Sequence, residues 1–590
     1  MATPTFVGLR GQALVYAVTL CSGLGFLLFG YDLAFMGGVT TSADFLALFG
    51  NPSPALLGFL VSSYEVGAMF GALGIFLIGD NFGRKTNVLT GAGIICLGAI
   101  LQTSAFSIAQ FLVGRIVAGF GLGMMTTIIP IWMTECAQPK SRGRMVAMQL
   151  SNLILGLIIA NWLDYGMSFY EGPIEWRFPC AFQMVFCIII LAYMPFLPES
   201  PRYLVRAGKM VDAERSLSAL RASDDVAQEL QQIRYAITVE AEEQGSWTDV
   251  FREGGVHGRT RVIIAFWVNA MQQLTGSNVI SSFGPYVYQN LLGLSRHDSL
   301  LVSGGNQVYF FLSSLIAWWA VDAIGRRKLF IFGSTGMCLM MVLSAIFIQM
   351  GGKNLGYGAI VCSYVFYTFF TVGWQANMWV YPSEILPLKL RVRGGAIGVI
   401  SQWAFTFLVV EITPSLVQNL HWKSYIVFAV LNFVAIPVVY LFFPETNQLP
   451  LEAVDLLFVD GEQKPNILKV VKRSANKETR EEILFRMRDE VDRATALETK
   501  ASVAHEELSR FRCDCVADRT FWHCQKSISV VWLLRYIAAG RPAVEDQLAF
   551  DFLCTFQSPP ALCLALILCF AVACDNMSFV KTTPTMHGKG

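Results

Sequence analysis

Long apolar stretches separated by short polar segments make up most of this chain. Twelve of them hold the roughly 20 mostly apolar residues that a helix needs to cross a bilayer: 13–37, 56–79, 88–106, 109–133, 146–165, 178–197, 262–290, 300–321, 329–350, 356–380, 395–417 and 424–443. The pattern therefore predicts an all-α membrane protein with twelve transmembrane helices. The polar stretch 198–261 between the sixth and seventh spans carries one apolar stripe at helical spacing (Val226, Leu230, Ile233 and Ile237). We expect that helix to lie against the cytoplasmic face of the bundle.

Lys and Arg are unevenly shared between the two alternating sets of loops. One set holds only Arg177, Arg296, Lys353 and Lys423, and the other holds eleven: Arg84, Lys85, Lys140, Arg142, Arg144, Arg326, Arg327, Lys328, Lys389, Arg391 and Arg393. Because cytoplasmic loops carry the excess of Lys and Arg, the eleven and both termini are predicted to lie in the cytoplasm. The predicted organisation is a cytoplasmic N-terminus (1–12), a six-helix half (13–197), linker helices (198–261), a second half (262–443) and a cytoplasmic tail (444–590).

Composition agrees with a membrane protein and narrows the function. The chain is 54% hydrophobic and 15% charged, whereas soluble proteins are about 25% charged. A net charge of +1 gives no field that would attract nucleic acid. No phosphate loop or nucleophile elbow occurs, and we expect no enzyme activity, no cofactor and no metal.

Three signatures occur once in each half of the chain, in the same order. They are an aspartate before a Gly-Arg pair (Asp80 and Arg84, then Asp322 and Arg326), a glutamate seven residues before an arginine (Glu135 and Arg142, then Glu384 and Arg391), and a Pro-Glu pair (Glu199, then Glu445). Two six-helix halves with a site between them are typical of secondary transporters.

Together with further motifs, these signatures resemble the sugar porter family of the major facilitator superfamily, in the version common among fungal sugar permeases. The further motifs are Gly30-Tyr31-Asp32, Arg115 with Gly119, Gly121 and Gly123, Trp176-Arg177, Gln272-Gln273-Leu274-Thr275-Gly276 with Asn278, and Trp379 through Glu384. The resemblance covers residues from about 10 to 458. It implies secondary transport of a sugar, which we expect to be a monosaccharide, by alternating access between two pseudo-symmetric halves.

The resemblance also implies roles for individual residues. Sugar contacts fall on Phe29, Gln149, Gln272, Gln273, Asn278, Trp379 and Gln402. Proton coupling falls on Asp32 and Arg115, since burial disfavours a charged carboxylate and a nearby guanidinium favours it. Gating networks at the cytoplasmic helix ends fall on Asp80, Arg84, Glu135, Arg142, Glu199, Asp322, Arg326, Glu384, Arg391 and Glu445. Facilitative relatives also carry the aspartate, so symport and facilitated diffusion both stay open.

Departures from the family pattern leave the substrate open. Leu150 stands where many relatives have a second glutamine, and Phe310 replaces a polar asparagine. The family's tyrosine pair in the seventh span is Ser282-Phe283 here, and 375–378 replaces a Gly-Pro segment. The alternatives are a non-transporting sugar sensor on the same scaffold, or a permease for quinate, inositol or an oligosaccharide. The expected partners are a small sugar, protons and the bilayer, and the expected location is the plasma membrane, with the oligomeric state undetermined.

The tail changes character along its length. Residues 464–512 are charged and helix-prone, whereas the chain beyond about 512 loses any family resemblance. Cys513, Cys515, His523 and Cys524 have irregular spacing for a zinc site, and the apolar run 561–574 has only 14 residues, too few to span. Our hypothesis for this end is a gene-model artefact without function, and sequencing the 3′ end of the transcript tests it.

Overall fold

The computed structural model of this chain describes residues 6, 8–137, 142–223, 225–243, 247–251, 257–447, 449, 451–458, 467–476, 481 and 485. Most of these residues are helical, and one isolated β-bridge joins Phe6 to Leu9. The predictions for the tail beyond residue 485, including the zinc reading and the run 561–574, lie outside the described residues.

The first half contains six long helices and one short one. Its helices are α1 (Gln12–Val39), α2 (Ala43–Leu48), α3 (Pro54–Ile78), α4 (Arg84–Thr103), α5 (Ile108–Cys136), α6 (Arg142–Met167) and α7 (Ile174–Tyr193). Four short linker helices follow, namely α8 (Pro201–Arg206), α9 (Met210–Arg221), α10 (Ala227–Glu243) and α11 (Trp247–Phe251).

The second half repeats the six-helix pattern with two interruptions. Its helices are α12 (Gly258–Leu274), α13 (Ser277–Leu292), α14 (Arg296–Ile324), α15 (Arg326–Met350), α16 (Lys353–Phe370), α17 (Asn377–Ile385), α18 (Arg391–Leu420) and α19 (Lys423–Phe442), followed by α20 (Leu451–Phe458) and α21 (Ile467–Ala475). A π-helical turn, Thr371–Gln375, joins α16 to α17. The loops rich in Lys and Arg lie at one end of both halves, which we call the basic-loop side, and the other end is the opposite side.

Ten helices of the described part are long and apolar enough to cross a membrane. The other two spans are the seventh and the eighth. The seventh, predicted as one stretch over 262–290, breaks at Gly276 into helices of 17 and 16 residues. The eighth, α14, has 29 residues and buries Asn306 and Gln307 completely. The fold is the predicted one, twelve spans in two six-helix halves.

The break in the seventh span depends on a glycine. Gly276 has φ +86°, a left-handed conformation that strongly favours glycine. The amide of Asn432 in α19 donates to the carbonyl oxygen of Thr275 at 2.9 Å, which satisfies a backbone acceptor that the break leaves without a helical partner. The break is therefore fixed by its neighbours.

Glycines let the helices of the first half approach to backbone contact. A Cβ at Gly30 of α1 would lie 1.8 Å from the carbonyl oxygen of Leu153 in α6, and one at Gly156 would lie 2.0 Å from that of Leu27. Small residues at helix crossings are the usual basis of packing in membranes. Lipid tails are as apolar as the helix surface, so the hydrophobic effect does not drive helices together there and close packing must.

The apolar stripe of the linker finds a different partner from the one that we expected. Leu230, Ile233 and Ile237 pack on a small cluster in α8 and α9 that includes Leu204 and Ala213. The linker helices therefore share a core of their own.

The segment after the last span is attached to the second half. Arg261, fully buried at the start of α12, forms an ion pair with Asp455 and lies 4.0 Å from the ring centroid of Phe458. In α21 the hydroxyl oxygen of Ser474 accepts the backbone N–H of Glu445 at 2.9 Å. The described part of the tail thus packs on the start of α12 and on Glu445, which closes the repeat signature.

Candidate functional site

A cavity lies between the two halves, and the empty space in it, open solvent included, is about 670 Å³. The lining comes from both halves: Phe29, Leu33, Leu150, Leu153 and Leu157 from the first, and Gln272, Gln273, Ser277, Asn278, Ser281, Phe310, Tyr367, Phe370, Gln375, Met378, Trp379, Gln402, Trp403 and Thr406 from the second. Every one of these lining residues is uncharged, which favours a neutral ligand.

The polar groups of the cavity are concentrated where α12 breaks into α13. The amide of Asn278 donates to Oε1 of Gln273 at 2.7 Å across the break. The amide oxygen of Gln272 has no hydrogen-bond partner among the described residues. Tyr367 donates to the backbone oxygen of Ser277 at 3.1 Å and so fixes the start of α13 from α16. The site therefore presents oriented amides, one of them with a free acceptor.

The first half contributes an apolar wall. Its five lining residues are one phenylalanine and four leucines, while all the amides and hydroxyls of the lining belong to the second half. Aromatic rings complete the second half's side, where Phe310 stacks on Tyr367 with centroids 4.2 Å apart. The cavity is thus polar on one side and apolar on the other.

The predicted sugar contacts fall mostly on this lining. Phe29, Gln272, Gln273, Asn278, Trp379 and Gln402 are all brought together there. Gln149 is buried but is not among the lining side chains, and its Nε2 has no partner in the described part of the chain. The neighbouring Leu150 lines the cavity in its place.

Sequence reasoning missed several lining residues. Thr406 follows Gln402 by one helical turn, and Ser281 follows Asn278 by three residues, so helical periodicity from the predicted contacts would have found both. Gln375 was noted as a departure from the family pattern and not as a contact, yet the π-helical turn of the tenth span brings it to the cavity.

The two residues predicted for proton coupling share a third residue between them. The hydroxyl of Tyr64 donates to Oδ2 of Asp32, and the guanidinium of Arg115 lies over the Tyr64 ring, 4.4 Å from its centroid. Arg115 also donates to the carbonyl oxygen of Val61 at 2.8 Å. Asp32 and Arg115 are each only 1% exposed. Tyr64 therefore links the carboxylate to the cation, a role with no polar signal in the sequence pattern.

Each half carries an equivalent charge cluster on the basic-loop side. In the first half, Nε of Arg84 lies 3.2 Å from Glu135, and the Ser200 hydroxyl donates to Glu135 at 2.6 Å. Glu199 accepts the backbone N–H of Lys85 at 3.2 Å. Burial raises the pKa of Glu199, and the N–H donors of Ser200 and Lys85 oppose that rise.

The second half repeats the same geometry at equivalent positions. Arg326 lies 2.9 Å from Glu384, and the Thr446 hydroxyl donates to Glu384 at 2.6 Å. Glu445 accepts the backbone N–H of Arg326 at 3.0 Å. The duplicated signature therefore describes two clusters, each built within one half.

The contacts described above do not include four of the predicted gating residues. The side chains of Asp80, Arg142 and Asp322 lie outside the described set. Arg391, the first residue of α18, is not among the partners described for the Arg326 cluster.

On the opposite side the two halves are joined directly. Arg296, the first residue of α14, forms an ion pair with Glu175 of α7, and its Nε donates to the Thr41 hydroxyl at 3.2 Å. The Ser42 hydroxyl donates to Glu175 at 2.7 Å, and Asp164 of α6 attracts the same guanidinium. We call these five residues the opposite-side clasp. From the sequence alone, Arg296 stands out only as one of four Lys and Arg residues in this set of loops.

Comparison with known proteins gives this geometry its context. The sugar (and other) transporter family matches residues 18–458. The chain belongs to that family. Its relatives include MFS-type transporter oryC of Aspergillus oryzae (strain ATCC 42149 / RIB 40), 34% identical over 516 residues that cover 85% of this chain and 95% of that protein. Sugar transporter STL1 of Saccharomyces cerevisiae (strain ATCC 204508 / S288c) is 32% identical and covers 77% of this chain and 84% of its own.

Solved structures place this chain within the major facilitator fold. The xylose transporter XylE from E. coli, partially occluded and inward open, matches with a TM-score of 0.64 and 25% identity over 74% of this chain and 99% of that one. The proton:xylose symporter XylE bound to 6-bromo-6-deoxy-D-glucose matches with a TM-score of 0.64 and 25% identity over 76% of this chain and 99% of that one. The family and fold are those of transporters and not of enzymes.

Proposed function

We propose that this chain transports a neutral sugar or related polyol across the plasma membrane by alternating access, coupled to protons. The observation that carries the proposal is the uncharged, amide-lined and aromatic-lined cavity between two six-helix halves. Amides bond hydroxyl groups, and aromatic faces pack on the C–H surface of a sugar ring. The site residues for the ligand are Phe29, Gln272, Gln273, Asn278, Trp379 and Gln402, with Gln149 held next to the lining.

Proton coupling is supported by the surroundings of Asp32. A buried carboxylate in a membrane helix is costly and usually functional. The Tyr64 hydroxyl and the Arg115 guanidinium provide a hydrogen-bond donor and a cation that change its proton affinity when the helices move. XylE, described as a proton:xylose symporter, shares the fold.

Alternating access is supported by where the named contacts lie. The clasp joins the halves on the opposite side, while the described ion pairs Arg84–Glu135 and Arg326–Glu384 each stay within one half on the basic-loop side. We assign this arrangement to the state that opens toward the basic-loop side. By the distribution of Lys and Arg, that side and both termini face the cytoplasm.

The test is initial uptake of labelled sugars and polyols in yeast that lacks its own hexose transporters, with and without a protonophore. Proton symport predicts uptake that collapses with the protonophore and also collapses in Asp32→Asn. Uptake that persists with the protonophore would contradict coupling but keep transport. No uptake of any tested compound, with the protein shown at the cell surface, would contradict transport and favour the sensor alternative.

A further inference from the structure

A second buried carboxylate lies beside the Asp32 group and has no place in the function proposed so far. Glu65 of α3 directly follows Tyr64 and is 2% exposed. Its Oε2 has no hydrogen-bond partner among the described residues. Because an unpaired intramembrane carboxylate is expensive, a purely structural role does not account for it.

Glu65 faces the joint between the two halves. On α3 it shares a face with Ser62 and Gly58, which are three and seven residues earlier. A Cβ at Gly58 would lie 2.2 Å from the carbonyl oxygen of Glu411 in α18, so the two helices are in backbone contact there. The Ser62 hydroxyl donates to Oε2 of Glu411 at 2.6 Å. A carboxylate of the second half therefore meets the face of α3 that carries Glu65.

The charged groups around Glu65 come from each element packed on it. Arg115 of α5 attracts its carboxylate and Glu411 of α18 repels it, while Tyr64 on the neighbouring face of α3 leads to Asp32 of α1. Asp32 and Glu65 thus both interact with one guanidinium, and Glu411 of the second half interacts with Glu65.

Charge counting shows what this arrangement can do. One guanidinium balances one carboxylate, so Asp32, Glu65 and Arg115 are together neutral when the two carboxylates share a single proton. Moving that proton from one carboxyl oxygen to the other leaves the net charge of the buried group unchanged. No other bond is made or broken. Transfer therefore avoids the penalty for an uncompensated buried charge.

We propose that Glu65 and Glu411 form a second proton-binding site, which takes up a proton when the α3–α18 joint opens and passes it to Asp32. The inference rests on the proposed proton coupling. Opening the joint breaks the Ser62–Glu411 hydrogen bond and gives both carboxylates access to protons from the opposite side, whereas closing it brings the two like charges together away from water, so the pair holds one proton that can pass to Asp32.

The experiment compares Glu65→Gln and Glu411→Gln with the unmodified chain, reconstituted in vesicles of phosphatidylcholine and phosphatidylglycerol. Two quantities are measured: accumulation of labelled substrate driven by a pH gradient, and exchange of labelled for unlabelled substrate at equal pH. Exchange needs no net proton movement, so it reports folding and ligand binding. Glu171→Gln, which alters an exposed carboxylate on the opposite side, is the matched control.

We expect both variants to keep exchange and to lose accumulation, with the inside concentration no higher than the outside one. Glu65→Asp should restore part of the accumulation. Accumulation that matches the unmodified chain in both Gln variants would overturn the inference and leave proton coupling intact. An unmodified chain that exchanges substrate without accumulating it would overturn proton coupling and the inference with it. If Glu65→Gln does not fold, Glu411→Gln decides by the same criterion.

Discussion

Arg296 of the second half forms an ion pair with Glu175 of the first half, at the end of the molecule opposite the basic loops. The Glu175 side chain is 7% exposed and that of Arg296 is 23% exposed, so water screens the pair only in part. Thr41 and Ser42 add hydrogen bonds to it. Outward opening must separate these groups, so the clasp stabilises the closed state of this side.

Replacing Arg296 should shift the conformational equilibrium toward outward opening. Loss of one partner from a buried pair costs about 3–5 kcal/mol. With Arg296 partly exposed, we expect Arg296→Gln to raise the outward-open fraction by about tenfold, a shift of about 1.4 kcal/mol. The measurement is thiol labelling from the opposite side of a cysteine introduced at Ser281 in the cavity lining.

The control for this prediction is Lys353→Gln, which removes an exposed cation on the same side. Labelling in the control should match the parent chain. Equal labelling of parent and Arg296→Gln would show that the clasp does not hold this side closed.

The apolar wall of the cavity makes a prediction about selectivity. Leu150→Gln would place an amide on the first half's side, opposite the amides of the second half. One added hydrogen bond contributes about 0.5–1.5 kcal/mol, so the KM for a fully hydroxylated sugar should fall by roughly two- to tenfold. Deoxy analogues that lack the bonded hydroxyl should compete for uptake no better than they do in the parent chain.

Leu150→Met is the control, because it keeps an apolar side chain of similar volume. A fall in KM of the same size in both variants would mean that shape, and not the amide, determines selectivity at this wall.

The hydrogen bond between Asn278 and Gln273 should be needed for affinity. Asn278→Ala removes a proposed ligand contact and leaves Oε1 of Gln273 without its donor, at a cost of about 1–3 kcal/mol. We expect KM to rise by roughly tenfold with little change in the amount of folded protein. Asn290→Ala, an exposed position on the same helix, should leave KM unchanged. Parallel effects of the two substitutions on KM would contradict a specific role for Asn278.

Sequence patterns predicted the spans well because hydropathy and loop charge are properties of single segments. Contacts between segments that are far apart in the sequence were harder to predict. The bridging position of Tyr64 depends on three helices meeting, which no pattern within α3 marks. The clasp was not predicted from the sequence for a related reason. Arg296 and Glu175 are far apart in the chain, and each looks like an ordinary charged residue of a loop. Gln149 and Leu150 differ by one position, about 100° around a helix, which is within the error of a pattern match.

Backbone contact between α1 and α6 should make Gly30 intolerant of any side chain. A Cβ there would meet the carbonyl oxygen of Leu153 at 1.8 Å, and backbone cannot yield as a flexible side chain can. Overpacking costs about 1–3 kcal/mol, so Gly30→Ala should lower the midpoint of thermal unfolding in detergent. Gly93→Ala, within α4 and with open space around it, should leave the midpoint unchanged or raise it. Equal midpoints for the two variants would show that α1 and α6 separate at little cost.

The division of the cavity between the halves has an evolutionary consequence. The amides and hydroxyls of the lining lie on the second half, whereas Asp32, Tyr64 and Arg115 all lie on the first. If transport is coupled to protons through Asp32 as proposed, a lineage could therefore exchange one nutrient for another by substitutions in α12 and α13 while its energy source stayed untouched. Diversification of the substrate would then leave the Asp32, Tyr64 and Arg115 group of the first half unchanged.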